Sequence, residues 1–402
     1  MREDVRAAAV ESWKAIAIAA AVTVVCSLPL YLIGALAPQI NADLPLDASD
    51  VGAVLAGYWV AGALGSFVSV RWAGLLTDRA AMTISLAIVA FGLLAAALFA
   101  RQSWHLLALI GLTGFANGTG HSPANSQLQL RLPEGLQGLG FGIKQAAIPL
   151  ASVIAGLSVP LLGATIGWRF AFAAGAVLCI PISAVVLAAV RSEPKPGVPG
   201  GGASAPRMPG SVRRKAIRLS IVTLFAAGAF AAATTLATTA ADLRDWPIET
   251  AALALAGASL VGAICRVIAS AIPGLSLRQA WGLLLLILAL GAAGMLIMSI
   301  PIPAAFYLGM LLAQGPGWAW PGIMHFVGAR LAEGHVGAVT GVIQGMVSIS
   351  SALVPLLTGA LLVGFGVTFS WIVLFLLLAV SVSWGFSIWR TRGFFPTSPV
   401  ID

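Results

Sequence analysis

Apolar residues run through this chain in blocks about 20 long, and the charges, prolines and glycines collect in short stretches between them. About 20 apolar residues rising 1.5 Å each span the roughly 30 Å core of a bilayer, so each block predicts a membrane-crossing helix. Twelve spans are predicted, at 15–36, 51–71, 81–100, 106–128, 138–163, 169–190, 218–240, 251–272, 280–300, 304–328, 336–363 and 368–389. Residues 191–217, where the run 197–202 is followed by Arg213, Arg214 and Lys215, are rich in Pro, Gly and bases and predict a flexible linker. It divides the chain into an N-terminal six-helix bundle at 1–190 and a C-terminal six-helix bundle at 218–402.

The two halves are related. A shift of 200 residues aligns Ala56 and Gly57 with Ala256 and Gly257, Gly62 and Ala63 with Gly262 and Ala263, and Gly74 and Leu75 with Gly274 and Leu275. A shift of 199 aligns Gly142 with Gly341 and Gln145 with Gln344. Parallel repeats of six helices are the expectation. Polarity sorts the spans in threes. Spans 3, 6, 9 and 12 carry little polarity and should face lipid. The first span of each triplet carries a polar stripe at helical spacing: Thr23, Ser27 and Tyr31; Asn117, His121 and Asn125; Thr234, Thr235 and Thr238; Gln314, Trp318, Pro321 and His325. Those four faces should line a shared water-accessible cavity.

Composition turns this pattern into a class. With 59% hydrophobic and 9% charged residues the chain is not a soluble domain. The net charge of +8 would suit nucleic acid, but the bases are sorted by topology. Outside the spans only Arg101, Arg169 and Arg244 fall on one side of the predicted membrane and all other Lys and Arg fall on the opposite side, which places both termini in the cytoplasm. The apolar stretch after Lys14 is too long for a signal-peptide core, so the N-terminal segment is expected to be retained. Cys26, Cys179 and Cys265 lie within spans, without metal-ligand spacing, as packing residues.

Two full charges, Lys144 and Arg266, lie well inside apolar spans; both are positive, and no Asp or Glu accompanies them. A cation at the bilayer centre costs roughly 2.5–3.5 kcal/mol on insertion scales, so each marks a functional site by default, and an anion is the natural partner. The competing reading is that each stretches to the membrane surface as an anchor. Arg266 shares a stripe with Ser259, Gly262 and Ser270, and Gln344 shares one with Thr340, Ser348 and Ser351. Gln344 offers an amide either to a substrate or to a neighbouring helix. Gly315, Pro316 and Gly317 should break span 10, and Gly118, Gly120 and Pro123 should loosen span 4. Tyr31, Tyr58, Trp59, Trp318 and Trp320 are candidates to wall in a planar ligand. His121 and His325 are candidates for proton coupling or for structural hydrogen bonds.

After span 2, Gly74, Leu76, Asp78 and Arg79 match a Gly-x-Leu-x-Asp-Arg pattern that resembles the signature of the major facilitator superfamily. The usual continuation with Gly and two bases is replaced by Ala81, Met82 and Thr83, so the resemblance assigns gating to Asp78 and Arg79 only. It implies the major facilitator fold, an all-α membrane protein of twelve transmembrane helices in two pseudo-symmetric six-helix bundles, with helices 1, 4, 7 and 10 lining the cavity. It also implies that helices 5 and 8 lie side by side, where Lys144 and Arg266 would clamp one anion between the halves. Within the superfamily a cationic cavity is similar to carriers of oxalate and formate, nitrate or cyanate. Gln344, Gly345, Leu353, Pro355, Leu356 and Gly359 resemble the cyanate permease group. The second cation that oxalate carriers place in helix 11, and the Arg that the cyanate group carries in helix 1, are both missing.

The expected function is secondary active transport of a small anion, an organic carboxylate, by alternating access with proton symport or anion exchange. The competing expectation is an efflux carrier for amphipathic or zwitterionic small molecules, which would tolerate loss of either cation. Substrate contacts are expected from Lys144, Arg266, Tyr31, Asn117, His121, Gln314, Trp318 and Gln344. Catalysis would require clustered His, Asp or Glu, so no enzyme activity is expected, and no Gly-x-x-x-x-Gly-Lys nucleotide motif is present. The expected partners are a small anionic substrate, the lipid bilayer and protons, with no nucleic acid, metal or cofactor. The expected form is a multi-pass monomer in the plasma membrane, the inner membrane in a bacterium.

Overall fold

The computed structural model describes residues 2–72, 75–190, 208–271, 276–332 and 335–395. Gly74 and most of the expected linker, 191–207, lie outside the described residues. The described elements are all helical. The first half comprises α1 (Arg2–Ala35), the short α2 (Ala37–Asp43), α3 (Ala48–Trp72), α4 (Asp78–Phe99), α5 (Ser103–Arg131), α6 (Glu134–Ser158), which continues into a π-helical turn at Val159–Gly163, and α7 (Trp168–Ala189). The second comprises α8 (Gly210–Thr235), the short α9 (Ala237–Asp242), α10 (Ile248–Ala271), α11 (Leu277–Met298), α12 (Pro303–Gln314), a 3-10 turn at Pro316–Ala319, α13 (Trp320–Arg330) and α14 (Val336–Arg390). α8 starts well ahead of the expected span at 218.

Among the described residues nine helices are long and apolar enough to cross a membrane. The expected spans 4 and 10 fall short of that standard because polar residues dilute α5 and the break at Gly315 divides α12 from α13. The expected spans 11 and 12 are joined in α14. A straight helix of 55 residues would run about 80 Å, far beyond a bilayer, and Gly366, with φ 79° and ψ 176°, bends α14 into two spans.

Span 10 breaks where its Gly-Pro-Gly run predicts, with Gly315 at φ −73° and ψ −106°. Span 4 does not. α5 continues unbroken through Pro123, a correction to the expectation of a loosened helix. Its glycines serve contact instead: a side chain at Gly114 would meet the Tyr58 backbone, Cα 2.7 Å away, and one at Gly118 would meet Gly62 and the Ser66 nitrogen of α3. Small residues four apart let two helix backbones approach this closely, and they are common where helices meet in membranes.

The repeat appears as contacts. In the first half the missing side chain of Gly62 makes room for the Gly114 carbonyl, and in the second that of Gly262 makes room for the Gln314 carbonyl, the same pairing carried forward by 200 residues. Thr77 caps α4 by accepting from the Ala80 N–H, and Ser276 caps α11 in a full capping box with Gln279, again at corresponding places. The apolar helices closing each triplet leave large side chains such as Phe91, Leu98, Ile180, Leu286, Leu376 and Phe386 exposed on the outside of the bundles, where lipid would cover them.

Two long helix pairs, together with a crossing of α1 and α8, join the halves. α6 and α10 touch over their length, from Gly156 against Ala252, through the Ser259 to Ser152 hydrogen bond of 3.0 Å, to Gly142 against Ser270. α3 and α14 meet at the end away from the termini, where Gly52 packs on Pro355 and Leu356, and Gly359 on Ala48 and Ser49. Toward the terminus-bearing end Gly341 and Gly345 of α14 face open space. At the far end α1 and α8 cross tightly, Gly34 against Thr235, and the Thr238 hydroxyl on α9 donates to the Gly34 carbonyl at 2.7 Å. The polar stripes follow suit: Thr234, Thr235, Thr238 and Gln314 are buried, whereas His121, Asn125 and His325 are partly accessible. The molecule is closed at the far end and open at the end that carries its termini.

Candidate functional site

Both intramembrane cations are buried, Lys144 with 2% and Arg266 with 5% of its surface exposed. Neither reaches outward as an anchor. The Lys144 ammonium lies 2.9 Å from Nδ1 of His121 on α5, and the other ring nitrogen of His121, Nε2, lies 3.0 Å from Oδ1 of Asn117 one turn earlier. The Arg266 guanidinium donates from Nε to the Trp318 carbonyl at 3.1 Å and from Nη1 to the Gln145 carbonyl at 3.0 Å. Its central carbon sits 4.7 Å from the centre of the Trp318 ring, and the Tyr31 ring meets Trp318 edge-on at 6.2 Å. Cation–π stacking holds an arginine without using its donors.

The break in span 10 explains part of this. The helix leaves α-geometry at Gly315 and passes through a 3-10 turn, in which the i+3 partner of the Trp318 carbonyl is Pro321, a residue with no N–H to offer, and that carbonyl accepts from Arg266. The Gln145 contact comes from the other half and adjoins Lys144, so the two cations sit at one level, as the antiparallel register of α6 and α10 requires. They do not converge: Lys144 points into the first bundle toward His121, and Arg266 points toward Trp318. No carboxylate lies within salt-bridge distance of either among the described residues.

The other predicted residues are placed as follows. Gln314 is fully buried; its Oε1 accepts from the Thr234 hydroxyl at 2.6 Å, and its Nε2 has no partner among the described residues. Gln344 is exposed on α14 and hydrogen-bonds His325, whose Nδ1 donates to the Pro321 carbonyl at 2.8 Å. Tyr58 is turned away from any ligand, its hydroxyl donating to the Cys26 carbonyl at 2.9 Å. The stripe of Ser259, Gly262 and Ser270 around Arg266 is spent on packing against α6 and α12. Asp78 is buried at the start of α4, where its Oδ2 accepts from Gln127 on α5 at 2.8 Å, and Arg79 borders a surface groove with Thr77, Thr83 and Leu187. Sequence reasoning passed over Gln127, which lies off the polar stripe, and Thr234 as the partner of Gln314; neither pairing has a local spacing that reveals it.

A family model for the Major Facilitator Superfamily matches residues 19–317. The chain belongs to the Major Facilitator Superfamily. The likeness to solved structures covers the remainder. A bacterial homolog of the human lysosomal transporter Spinster, in an inward-facing and occupied conformation, is similar with a TM-score of 0.75 at 16% identity, covering 96% of this chain and 98% of that one. The same homolog, unoccupied, gives 0.74 at 16% identity over 94% and 97%. The nucleoside transporter NupG gives 0.62 at 17% identity over 94% and 98%. This Major Facilitator protein is therefore a multi-pass membrane transporter rather than an enzyme, with the two-bundle architecture that supports secondary transport by alternating access.

Proposed function

We propose that this Major Facilitator protein carries a small anion, an organic carboxylate, across the plasma membrane. The observation behind this reading is the pair of buried cations, one from each half, with no carboxylate to neutralise them among the described residues. Arg266 supplies the recognition surface: two of its five N–H groups hold carbonyls, and the rest of the planar fork remains for a carboxylate. Lys144 supplies a second positive charge from behind His121. Tyr31 and Trp318 form the aromatic wall, and Gln314, with an unused amide N–H, and Asn117 supply polar contacts. Gln344, exposed toward the open end, belongs to the entry route.

Alternating access follows from the asymmetry between the two ends. Anion binding offsets the repulsion between cations of opposite halves and so favours closure of the open end. The open end carries the termini, and the distribution of Lys and Arg supports placing that end in the cytoplasm. Asp78 would act in gating by fastening α4 to α5 through Gln127, with Arg79 beside it at the surface.

A second reading, an efflux carrier for amphipathic compounds, draws on Leu64 and Phe67 of α3 and Ile349 of α14, which are exposed on the two helices that part toward the open end. Thermal unfolding of the purified protein against formate, oxalate, lactate, nitrate and cyanate separates the two. A ligand at 100 times its dissociation constant stabilises by about 2.7 kcal/mol. The carboxylate reading predicts that at least one carboxylate raises the Tm of the wild type and that the shift is lost in Arg266→Ala and Lys144→Ala. Equal shifts in wild type and both variants, or none with any anion, would instead favour the efflux carrier.

A further inference from the structure

The Lys144, His121 and Asn117 chain constrains where protons can sit. An ammonium only donates, so with Lys144 charged the His121 Nδ1 is the acceptor at 2.9 Å, and the single ring proton sits on Nε2, donating to the Asn117 carbonyl oxygen at 3.0 Å. A doubly protonated ring would aim an N–H at that ammonium. The pair can therefore hold a net charge of +1 or 0, but not +2. Lys144 is 2% exposed, whereas His121 is partly accessible, so of the two groups His121 is the one that solvent reaches.

Among the described residues, the other titratable groups near the pair are the following. From α1, Cys26 lies within electrostatic reach of Lys144, and Tyr31 lies within reach of Arg266 on α10. From α3, Tyr58 is engaged with the Cys26 carbonyl. From α4, Ser85 meets Thr119 of α5, and neither is charged. From α13, His325 lies within electrostatic reach of Lys144 but is held by Pro321 and Gln344.

We propose that Lys144 and His121 form a one-proton coupling site in which the proton enters at His121 and the charge appears on Lys144. In the empty state Lys144 is a neutral amine accepting from Nδ1–H of His121, and the Asn117 amide turns over so that its NH2, not its oxygen, faces the unprotonated Nε2. An arriving proton bonds to Nε2, the Nδ1–H bond breaks, and that proton forms the third N–H bond on Nζ. The ring returns neutral, with its proton moved from one nitrogen to the other, and exactly one positive charge has been gained at Lys144. An anion on Arg266 then meets two positive charges when the site is loaded and one when it is empty, so loading and anion binding favour each other. One proton travels with each anion. This rests on the anion-carrier reading above.

Two measurements test the site separately from that reading. In full-length protein labelled with 15N-histidine, with the His121 signals identified by their loss in His121→Gln, the wild type should show one ring proton at every pH, on Nε2 with Nδ1 hydrogen-bonded while Lys144 is charged and on Nδ1 once Lys144 is neutral, and Lys144→Ala should release Nδ1. Two ring protons in the wild type, or an Nδ1 signal unmoved by Lys144→Ala, would overturn the site whatever the protein carries. In proteoliposomes containing an internal pH dye, labelled formate, oxalate and lactate are followed in exchange and under an inward proton gradient. Lys144→Arg keeps the charge but cannot release its proton. The ratio of proton-driven accumulation to exchange should fall by about tenfold or more in that variant. Exchange without proton uptake in the wild type, or an unchanged ratio in Lys144→Arg, overturns the coupling site and leaves the anion carrier standing. Transport of none of the three overturns both.

Discussion

At the scale of single residues, the basic side chains of this Major Facilitator protein divide by what they hold. Arg169 donates to the carbonyls of Ala97 and Ala100 at 2.9 and 2.8 Å, closing the end of α4, and Arg244 donates to those of Met298 and Ser299 at 3.3 and 3.0 Å, closing the end of α11. Cations there complete the last turn of a helix and oppose its dipole. These two are supports, and Arg169→Ala should lower stability by about 1.5–3 kcal/mol, the worth of a charged hydrogen bond, with carboxylate-induced stabilisation retained; thermal unfolding with and without ligand checks both. Arg266 differs because its carbonyl partners leave part of its fork unused. Next to Arg244, Asp242 is raised above its ordinary carboxylate value by burial and then by Asp245. A carboxyl raised on folding favours the folded state only as pH falls through its folded value, so acidification should raise the Tm of the wild type more than that of Asp242→Asn. The presence of Lys144 and Arg266 was legible, because a charge inside an apolar run stands out. Their partners were not: Trp318 and Gln145 lie far from Arg266 along the chain, and His121 lies on a different helix from Lys144.

At the scale of elements, the same residue types produced opposite outcomes in spans 4 and 10. Gly315, Pro316 and Gly317 end α12 because the chain there turns through a 3-10 turn, with the Trp318 carbonyl taken by Arg266. Gly114 and Gly118 leave α5 unbroken, with α3 lying against them in the space a side chain would need. What lies opposite decides, and a single sequence does not display it. The pattern of apolar blocks, by contrast, located the helices well, since length and hydropathy are local properties. Overpacking of a close helix contact costs about 1–3 kcal/mol. Gly114→Ala, whose new methyl would meet the Tyr58 backbone, should lower thermal stability by that amount, while Gly282→Ala on α11, where no described residue lies within 4 Å, should raise it by about 0.5–1 kcal/mol, the helix-propensity difference.

At the scale of the whole molecule, the repeat seen as a 200-residue shift becomes a machine with one closed and one open end. The closure rests on backbone contacts at Gly34, Gly52 and Gly359, and the opening lies along α3 and α14, where Gln344 is exposed. A cysteine at Gln344 should therefore react with a membrane-impermeant thiol reagent and one at Thr238 should not, and a bound carboxylate should slow the reaction at Gln344. The most direct test of the carrier itself is counterflow. Proteoliposomes preloaded with unlabelled formate, oxalate or lactate are given the same labelled anion outside, for the wild type and for Arg266→Gln. The account predicts labelled uptake above that of empty vesicles for at least one carboxylate, and a drop of about tenfold or more in Arg266→Gln, equivalent to the loss of about 1.4 kcal/mol of binding. Uptake of none of the carboxylates, or equal uptake by the variant, would contradict it.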